Sequence, residues 1–146
     1  MEKMREGGFL ISKIKQISSR IFDKKLKNYG IDLNTAQGRI IFSLWQKDNV
    51  PISELAKKTA LGKTTLTSML ERLERSGYII RKVAIGDKRK TLVSLSEKTK
   101  SIESRHEAVS KEMTALFYRG LSEKEIDNFE RILKHIQVNL VKYEEE

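Results

Sequence analysis

The segment ISELAKKTALGKTTLTSMLERLERSGYIIRK, residues 52–82, decides the fold because it contains two stretches of helical periodicity separated by a short turn. In its first eight residues, Ile52, Leu55 and Ala56 stand at helical spacing, which predicts a short helix directly after Pro51. Beyond the turn, apolar residues recur at i, i+3, i+4 and i+7, which predicts a second helix with one buried stripe. The residues of this stripe are Leu66, Met69, Leu70 and Leu73.

The side of the second helix that faces away from the stripe is polar and rich in short hydroxyl side chains. Winding the helix at about 100° per residue places Thr64, Ser68 and Arg72 on that side, flanked by Thr65 and Thr67, with Lys63 as the first residue. Three hydroxyl residues in the first turn, Thr64, Thr65 and Thr67, beside a leading lysine are unusual for a helix face that is merely solvated. The pattern therefore indicates a binding surface.

The tetrapeptide GKTT, residues 62–65, also matches the end of a nucleotide-binding P-loop. That loop needs a further glycine five positions earlier, and it follows a buried strand. Lys57 occupies the position of that glycine, and the preceding residues have helical periodicity. We therefore reject a nucleotide-binding loop in this segment.

A β-hairpin is predicted immediately after the second helix. Gly77 ends that helix, residues 78–85 are β-branched and aromatic, and residues 91–96 return as a second strand. Gly86 and Asp87 mark the turn between them, so the tip of the hairpin carries Lys88, Arg89 and Lys90.

Long amphipathic helices are predicted on both sides of this region. An apolar stripe from Leu10 to Leu26 predicts a helix that ends at Gly30, and Asn34 with Gln37 forms a capping box at the start of the next helix. Ser96 is predicted to cap one long helix that runs to about residue 119. A last helix is predicted after the capping box of Ser122 and Glu125, with its stripe at Ile126, Phe129, Leu133, Ile136 and Leu140.

Charge and composition restrict the function. The chain of 146 residues has a formal net charge of +9, and residues 51–100 alone carry 12 basic and five acidic residues. A polyanionic partner is therefore expected at the middle of the chain. The sequence has no cysteine, which excludes thiol-based sensing, thiolate nucleophiles and cysteine-ligated metals. Residues 1–10 contain two acidic residues and no apolar core of signal-peptide length, and no apolar run is long enough to span a membrane, so a cytoplasmic location is expected.

A short helix, a tight turn, a second helix with a polar first turn and a basic hairpin together describe a winged helix-turn-helix. The second helix has the diameter that fits the major groove of double-stranded DNA, where the base edges are distinguishable. The positive end of its dipole and Lys63 would face phosphates, and Arg89 in the wing would enter the minor groove. The predicted fold is thus mainly α with a small β-hairpin wing.

Residues 34–96 resemble the DNA-binding core of the MarR family of bacterial transcription regulators. The resemblance is carried by residues 52–82 and by DKRKTLVSLS, residues 87–96, which contain the Asp-x-Arg motif of the family's wing. It implies that Arg89 enters the minor groove and that Asp87 holds the basic wing residues in place. The DNA-binding residues that it implies are Lys63, Thr64, Thr65, Thr67, Ser68, Arg72, Lys88, Arg89 and Lys90.

The resemblance also implies an assembly and a regulatory role. Residues 1–30 and 97–146 would be dimerisation helices around a DNA-binding domain at residues 31–96, and the homodimer would bind a palindromic operator as a ligand-responsive repressor. The effector would be a small aromatic or anionic molecule in a crevice near Tyr29, Phe42, Trp45 and His106, although packing in the core explains these four residues better. No enzyme activity and no cofactor are expected, because no nucleophile has an oriented base nearby.

Four points stay open here: two other functions, a metal site and the packing of Ile85. The protein could bind DNA without sequence preference as an architectural protein, or it could use its winged helix as a protein-interaction module. Glu103, His106 and Glu107 have a spacing that could hold a metal, but the alignment of His106 with Ile102 favours a packed histidine. Ile85, an apolar residue beside the wing turn, is expected to pack on the sheet rather than on the sugars of DNA.

Overall fold

The computed structural model describes residues 2–146, and its helices and strands follow one another in the order of a winged helix-turn-helix. The first half of the chain contains α1 (Gly7–Asn28), α2 (Thr35–Gln46), the short strand β1 (Val50–Pro51), α3 (Ile52–Thr59) and α4 (Lys63–Arg75). The hairpin strands β2 (Ile79–Ala84) and β3 (Asp87–Leu95) follow, and then α5 (Glu97–Ser101), α6 (Glu103–Phe117) and α7 (Glu123–Glu144). The predicted fold class, mainly α with a small β wing, is confirmed.

The sheet has three strands rather than the two that were predicted. Its order is β1-β3-β2, and both pairs are antiparallel. In β1, Val50 and Pro51 pair with Val93 and Leu92 of β3. A two-residue strand has no periodicity of its own, and its partner lies more than 40 residues away, so local sequence patterns could not reveal it.

The hydrophobic core holds α4 in place through the predicted stripe. Leu66, Leu70 and Leu73 are buried, and Met69 packs against the core from its edge. Leu55 of α3 lies in the same cluster, together with residues of α2 and the sheet. Because the stripe faces the core, the opposite side of α4 faces outward.

The helix boundaries agree with the predicted caps, with one correction. Both capping boxes are present, at Asn34 with Gln37 and at Ser122 with Glu125. The single helix predicted from Ser96 to about residue 119 is wrong, because the chain turns at Ile102 between α5 and α6. There the N–H of Ile102 donates to the carbonyl of Thr99, three residues back, which interrupts the α-helical ladder.

The chain divides into two compact units, one ending at Ser110 and the other running from Lys111 to Glu146. Within the second unit, the rings of Phe117, Tyr118 and Phe129 contact one another at centroid distances of 4.9 to 6.4 Å. The hydroxyl of Tyr118 donates to Glu130 at 2.8 Å. Helix α7 has no buried residue in the single chain.

Candidate nucleic-acid interface

The first turn of α4 presents polar groups that the protein itself does not use. Lys63, Thr64, Thr65 and Ser68 are exposed, as is Arg72 further along the helix. Gly62 occupies the N-cap position and supplies no side-chain acceptor, so the first backbone N–H groups of the helix remain available to an anion. Thr67 differs from the others, because its hydroxyl donates to the carbonyl of Lys63 at 2.8 Å.

The hairpin carries its three predicted basic residues in an irregularity of the strand pairing. Val83 pairs with Thr91 and Ala84 pairs with Asp87, so the three residues 88–90 have no counterpart on β2. They are Lys88, Arg89 and Lys90, and all three are exposed. A bulge bends its strand and redirects the side chains that it contains. The three exposed cations therefore lie together outside the regular strand pairing, near the tip of the wing.

Asp87 organises this bulge from within. Its Oδ1 atom accepts the backbone N–H of Arg89 at 3.0 Å and lies 3.5 Å from Nε of the same arginine. The side chain of Arg89 is nevertheless 94% exposed, so its guanidinium keeps donors free for another partner. Asp87 thus fixes the backbone at Arg89 while the arginine still points into solvent.

An ion pair connects α4 to the wing. Glu74, near the end of α4, accepts from Nη2 of Arg81 at 3.0 Å and from its Nε and backbone N–H at 3.3 Å. The hydrogen bond from the Arg81 side chain lowers the pKa of Glu74 below its ordinary value of 4.5, although partial burial opposes this effect. This ion pair links α4 to β2 directly, so it contributes to the position of the wing relative to the helix.

Three further basic side chains lie outside the predicted set. Lys57 and Lys58 are exposed in the last turn of α3, and Lys82 is exposed on β2. None of the three has an ion-pair partner among residues 2–146. The excess of basic residues in the middle of the sequence already pointed to them, but only their exposure separates them from Arg81, which pairs with Glu74.

Ile85 lies where the sequence did not predict it. Its side chain is fully exposed in the turn between β2 and β3, so the expected packing on the sheet is wrong. The pairing of Ala84 with Asp87 leaves Ile85 and Gly86 as the two residues of the turn, and Gly86 has a φ of 88°. The side chain of Ile85 therefore lies beyond the last strand pair and is not covered by either face of the sheet.

His106 is a packed residue, as the sequence favoured. It is 2% exposed, and its ring lies 4.7 Å from that of Trp45 and 5.8 Å from that of Phe22. Burial lowers its pKa below the ordinary value of 6.5. Over residues 2–146 no group of three or more His, Asp or Glu side chains is arranged to hold a metal ion.

A cavity of about 360 Å³ opens beside His106 within the first unit. Its lining includes Phe42, Trp45, Glu103 and Ser110. The predicted core position of Phe42 is wrong, because this ring is 48% exposed at the cavity. Neither Nε1 of Trp45 nor either ring nitrogen of His106 has a hydrogen-bond partner among the described residues.

The described helices contain none that is both long enough and apolar enough to cross a membrane. This finding bears only on residues 2–146, and it agrees with the absence of a long apolar run in their sequence.

Comparisons with known proteins give a consistent result. Residues 33–91 match the MarR family. The chain is 29% identical over 112 residues to the HTH-type transcriptional regulator SarZ of Staphylococcus haemolyticus, which covers 77% of this chain and 75% of that protein. It is 34% identical over 82 residues to the organic hydroperoxide resistance transcriptional regulator of Bacillus subtilis, which covers 55% of this chain and 56% of that protein.

Solved structures agree with the sequence comparisons. A mutant MarR from E. coli, crystallised with operator DNA, superposes with a TM-score of 0.80 at 28% identity and covers 88% of this chain and 91% of its own. A MarR transcriptional regulator from Methanosarcina mazei has the same fold, with a TM-score of 0.82 at 20% identity over 93% of this chain and 96% of its own. Residues 33–91 therefore match a MarR-family domain, and the chain has the winged helix-turn-helix fold of the MarR transcription regulators.

Proposed function

We propose that this protein regulates transcription by binding double-stranded DNA at a specific sequence through residues 31–96. The observation that carries the proposal is the pairing of two outward-facing surfaces within one packed unit. The first turn of α4 offers uncommitted donors, and the bulge at residues 88–90 offers three cations. The ion pair between Glu74 and Arg81 links the two.

Each surface suits a different part of the duplex. The exposed side chains of Lys63, Thr64, Thr65 and Ser68 are short enough, or flexible enough, to contact base edges in the major groove. Thr67 can only accept there, since its hydroxyl proton is already bonded within the helix. Arg72 would contact phosphates.

In the wing, Arg89 would enter the minor groove, with Asp87 fixing its backbone and Lys88 and Lys90 on the flanking phosphates. The exposed residues Lys57, Lys58 and Lys82 would add backbone contacts, because phosphate binding needs charge and reach rather than a fixed geometry.

We infer a homodimer from the apolar side chains that the single chain leaves in water. Helix α1 exposes a run of them at Phe9, Leu10, Ile11, Ile14 and Ile17. Helix α7 exposes another at Ile132, Ile136, Val138, Leu140, Val141 and Tyr143. Large apolar patches at this density mark interaction surfaces, so residues 1–30 and 97–146 are the proposed dimerisation helices. A two-fold dimer would read a palindrome with half-sites about 10 bp apart.

The regulatory role completes the proposal. A dimer that covers an operator excludes other proteins from the same DNA, so repression is the expected outcome. We expect the protein to bind DNA in the cytoplasm, where bacterial DNA lies. A reporter gene placed downstream of the selected operator should be silenced by the protein. Increased reporter expression would contradict the assignment as a repressor.

The competing function is DNA binding without sequence preference, and competition binding separates the two. A site selected from a random DNA pool should bind about 10³-fold more tightly than bulk DNA. A ratio near one would support the architectural protein and overturn the sequence-specific regulator. A variant without DNA binding that kept its cellular function would instead support a protein-interaction module.

Substitutions in the wing and in the first turn of α4 should affect DNA binding in different ways. Arg89→Ala should weaken binding to all sequences and reduce the salt slope by about 0.9, the value for one phosphate contact. Lys124→Ala, which removes an exposed cation from the second unit, is the matched control and should change neither quantity. Thr65→Ala and Ser68→Ala should instead alter preference by about 1 to 3 kcal/mol at single base pairs, with Thr114→Ala as their control. Equal losses on specific and random DNA for all these variants would contradict this division.

We further infer that the cavity beside His106 is the effector site. Phe42 is partly exposed at the cavity, Trp45 and His106 contribute to its lining, and the lining contains carboxylates but no lysine or arginine. These features favour an uncharged or cationic aromatic molecule rather than an anion. Thiol oxidation is not available as a signal, since the chain has no cysteine.

The single tryptophan makes the effector site directly testable. A ligand that enters the cavity should change the fluorescence of Trp45 at the same concentrations that release DNA. Release of DNA without any change in this fluorescence would place the effector elsewhere.

A further inference from the structure

Ile85 is the one side chain of the wing turn, and the protein provides nothing for it to pack against. It is fully exposed, beyond the last strand pair between Ala84 and Asp87. A single exposed apolar residue is ordinary on a protein surface, so exposure alone says little. Ile85 is nevertheless a candidate contact residue, because it lies at the tip of a hairpin that also carries three cations.

Ile85 lies close to the three cations of the wing, so it should contact the same partner. Strand residues advance about 3.3 Å each, and Ile85 stands within a few residues of Lys88, Arg89 and Lys90 across a two-residue turn. Asp87 fixes the backbone at Arg89, and the positive φ of Gly86 fixes the turn itself. A polyanion that contacts Arg89 would therefore meet Ile85 at the same time.

The apolar side chain of Ile85 should pack against an apolar part of that polyanion. Its side chain has no hydrogen-bonding group, so it cannot form hydrogen bonds with base edges or with phosphate. The walls of the minor groove are formed by deoxyribose rings, which are the apolar component of the DNA backbone. An isoleucine is also restricted at χ1, so little rotamer freedom is lost when it is immobilised.

We propose that Ile85 packs against deoxyribose rings in the minor groove beside Arg89 and makes the wing sensitive to the width of that groove. The inference rests on the proposed DNA-binding function and deepens it. The cations supply a salt-dependent attraction, whereas an apolar contact with both walls requires a groove narrower than the ~6 Å of ordinary B-DNA. A·T-rich tracts have such grooves. Ile85 would thus favour A·T-rich DNA under the wing without contacting a base.

The test compares Ile85→Ala, Ile85→Val and the wild-type protein on the selected operator over a range of salt concentrations. Burial of about half of the isoleucine side chain predicts a loss of about fivefold in affinity per wing for Ile85→Ala. The salt slope should stay unchanged, since no charge is removed, and Ile85→Val should retain most of the affinity. Val83→Ala is the matched control, because Val83 is an exposed apolar residue on the same hairpin but lies in the strand.

Several outcomes would overturn the inference. Ile85→Ala could bind as tightly as the wild type, or Val83→Ala could lose as much affinity. The loss could also be the same for an A·T-rich and a G·C-rich sequence under the wing. A rise in the fluorescence of 2-aminopurine placed there would show that the side chain separates base pairs instead of packing on sugars. Failure of the wild-type protein to prefer any operator would overturn the proposed function as well, whereas the other results bear on Ile85 alone.

Discussion

Removal of the ion pair between Glu74 and Arg81 should weaken both the fold and DNA binding. Glu74→Gln preserves the shape of the side chain but removes the charge that accepts three N–H donors of Arg81. The two side chains are 39% and 25% exposed, so solvent screens the pair in part. Between the values for exposed pairs and for hydrogen bonds to charged groups, we expect a loss of about 1 kcal/mol in the free energy of unfolding.

A loss of this size should be measurable by urea and thermal unfolding. For a chain of this length it corresponds to a fall in Tm of about 3 °C. The protein concentration must be held constant, because dimerisation adds to the apparent stability. Glu97→Gln is the matched control, since Glu97 pairs with Lys100 within one helix and its side chain is 91% exposed. We expect that control to change the free energy by less than about 0.5 kcal/mol.

Acid should abolish the difference between the wild type and Glu74→Gln. The folded-state pKa of Glu74 is lowered, so its contribution is present above the unfolded value near 4.5 and is lost as the pH falls through the folded value. The two proteins should therefore differ by a constant amount from pH 7 to about 5 and converge below about pH 4.5. Equal stabilities of Glu74→Gln and Glu97→Gln at pH 7 would refute the reasoning.

Two further predictions concern the packing around His106. Gly38→Ala should lower the free energy of unfolding, measured with urea, by about 1 kcal/mol, because its Cβ would lie 3.2 Å from Nε2 of His106. Gly8→Ala, with nothing within 4 Å of its Cβ, should raise this free energy through better helix propensity. Because burial lowers the pKa of His106, the wild type should lose stability as the pH falls below about 6.5, and this loss should shrink in His106→Gln but persist in His135→Gln. A wild-type stability that is flat from pH 7.5 to 5.5 would contradict the second prediction, and a stabilised Gly38→Ala would contradict the first.

Local signals in the sequence predicted most of the fold. Capping boxes and apolar stripes specify helices within a few residues, which is why α2 and α7 begin where their capping boxes indicate and α4 contains its predicted buried stripe. The turn at Ile102 was not predicted because the apolar periodicity continues on both sides of it. Strand β1 was not predicted because the strand with which it pairs is distant in sequence. Both errors concern hydrogen bonds between backbone atoms, which a pattern of side chains does not encode.

Local sequence patterns likewise predicted one part of the candidate interface, the exposed face of α4, but not the arrangement of the wing. Winding a helix predicts which residues of α4 face outward, so the exposure of Lys63, Thr64 and Ser68 follows from the buried stripe. The arrangement of the wing does not follow from local patterns, because it depends on how β2 and β3 are paired. A regular register would have placed Lys88, Arg89 and Lys90 opposite β2, with alternate side chains on opposite faces of the sheet.

The register of the hairpin is therefore the structural cause of the proposed wing chemistry. Pairing Ala84 with Asp87 leaves a two-residue turn, and that short turn forces Ile85 to the tip and the three cations into the bulge. The same register brings Asp87 within reach of the Arg89 backbone. Charge and apolar surface are thus presented side by side by one feature of backbone pairing. A change that shifted this register would be expected to remove the salt-dependent and the salt-independent parts of wing binding together, whereas substitution of Arg89 or Ile85 should remove only one of them.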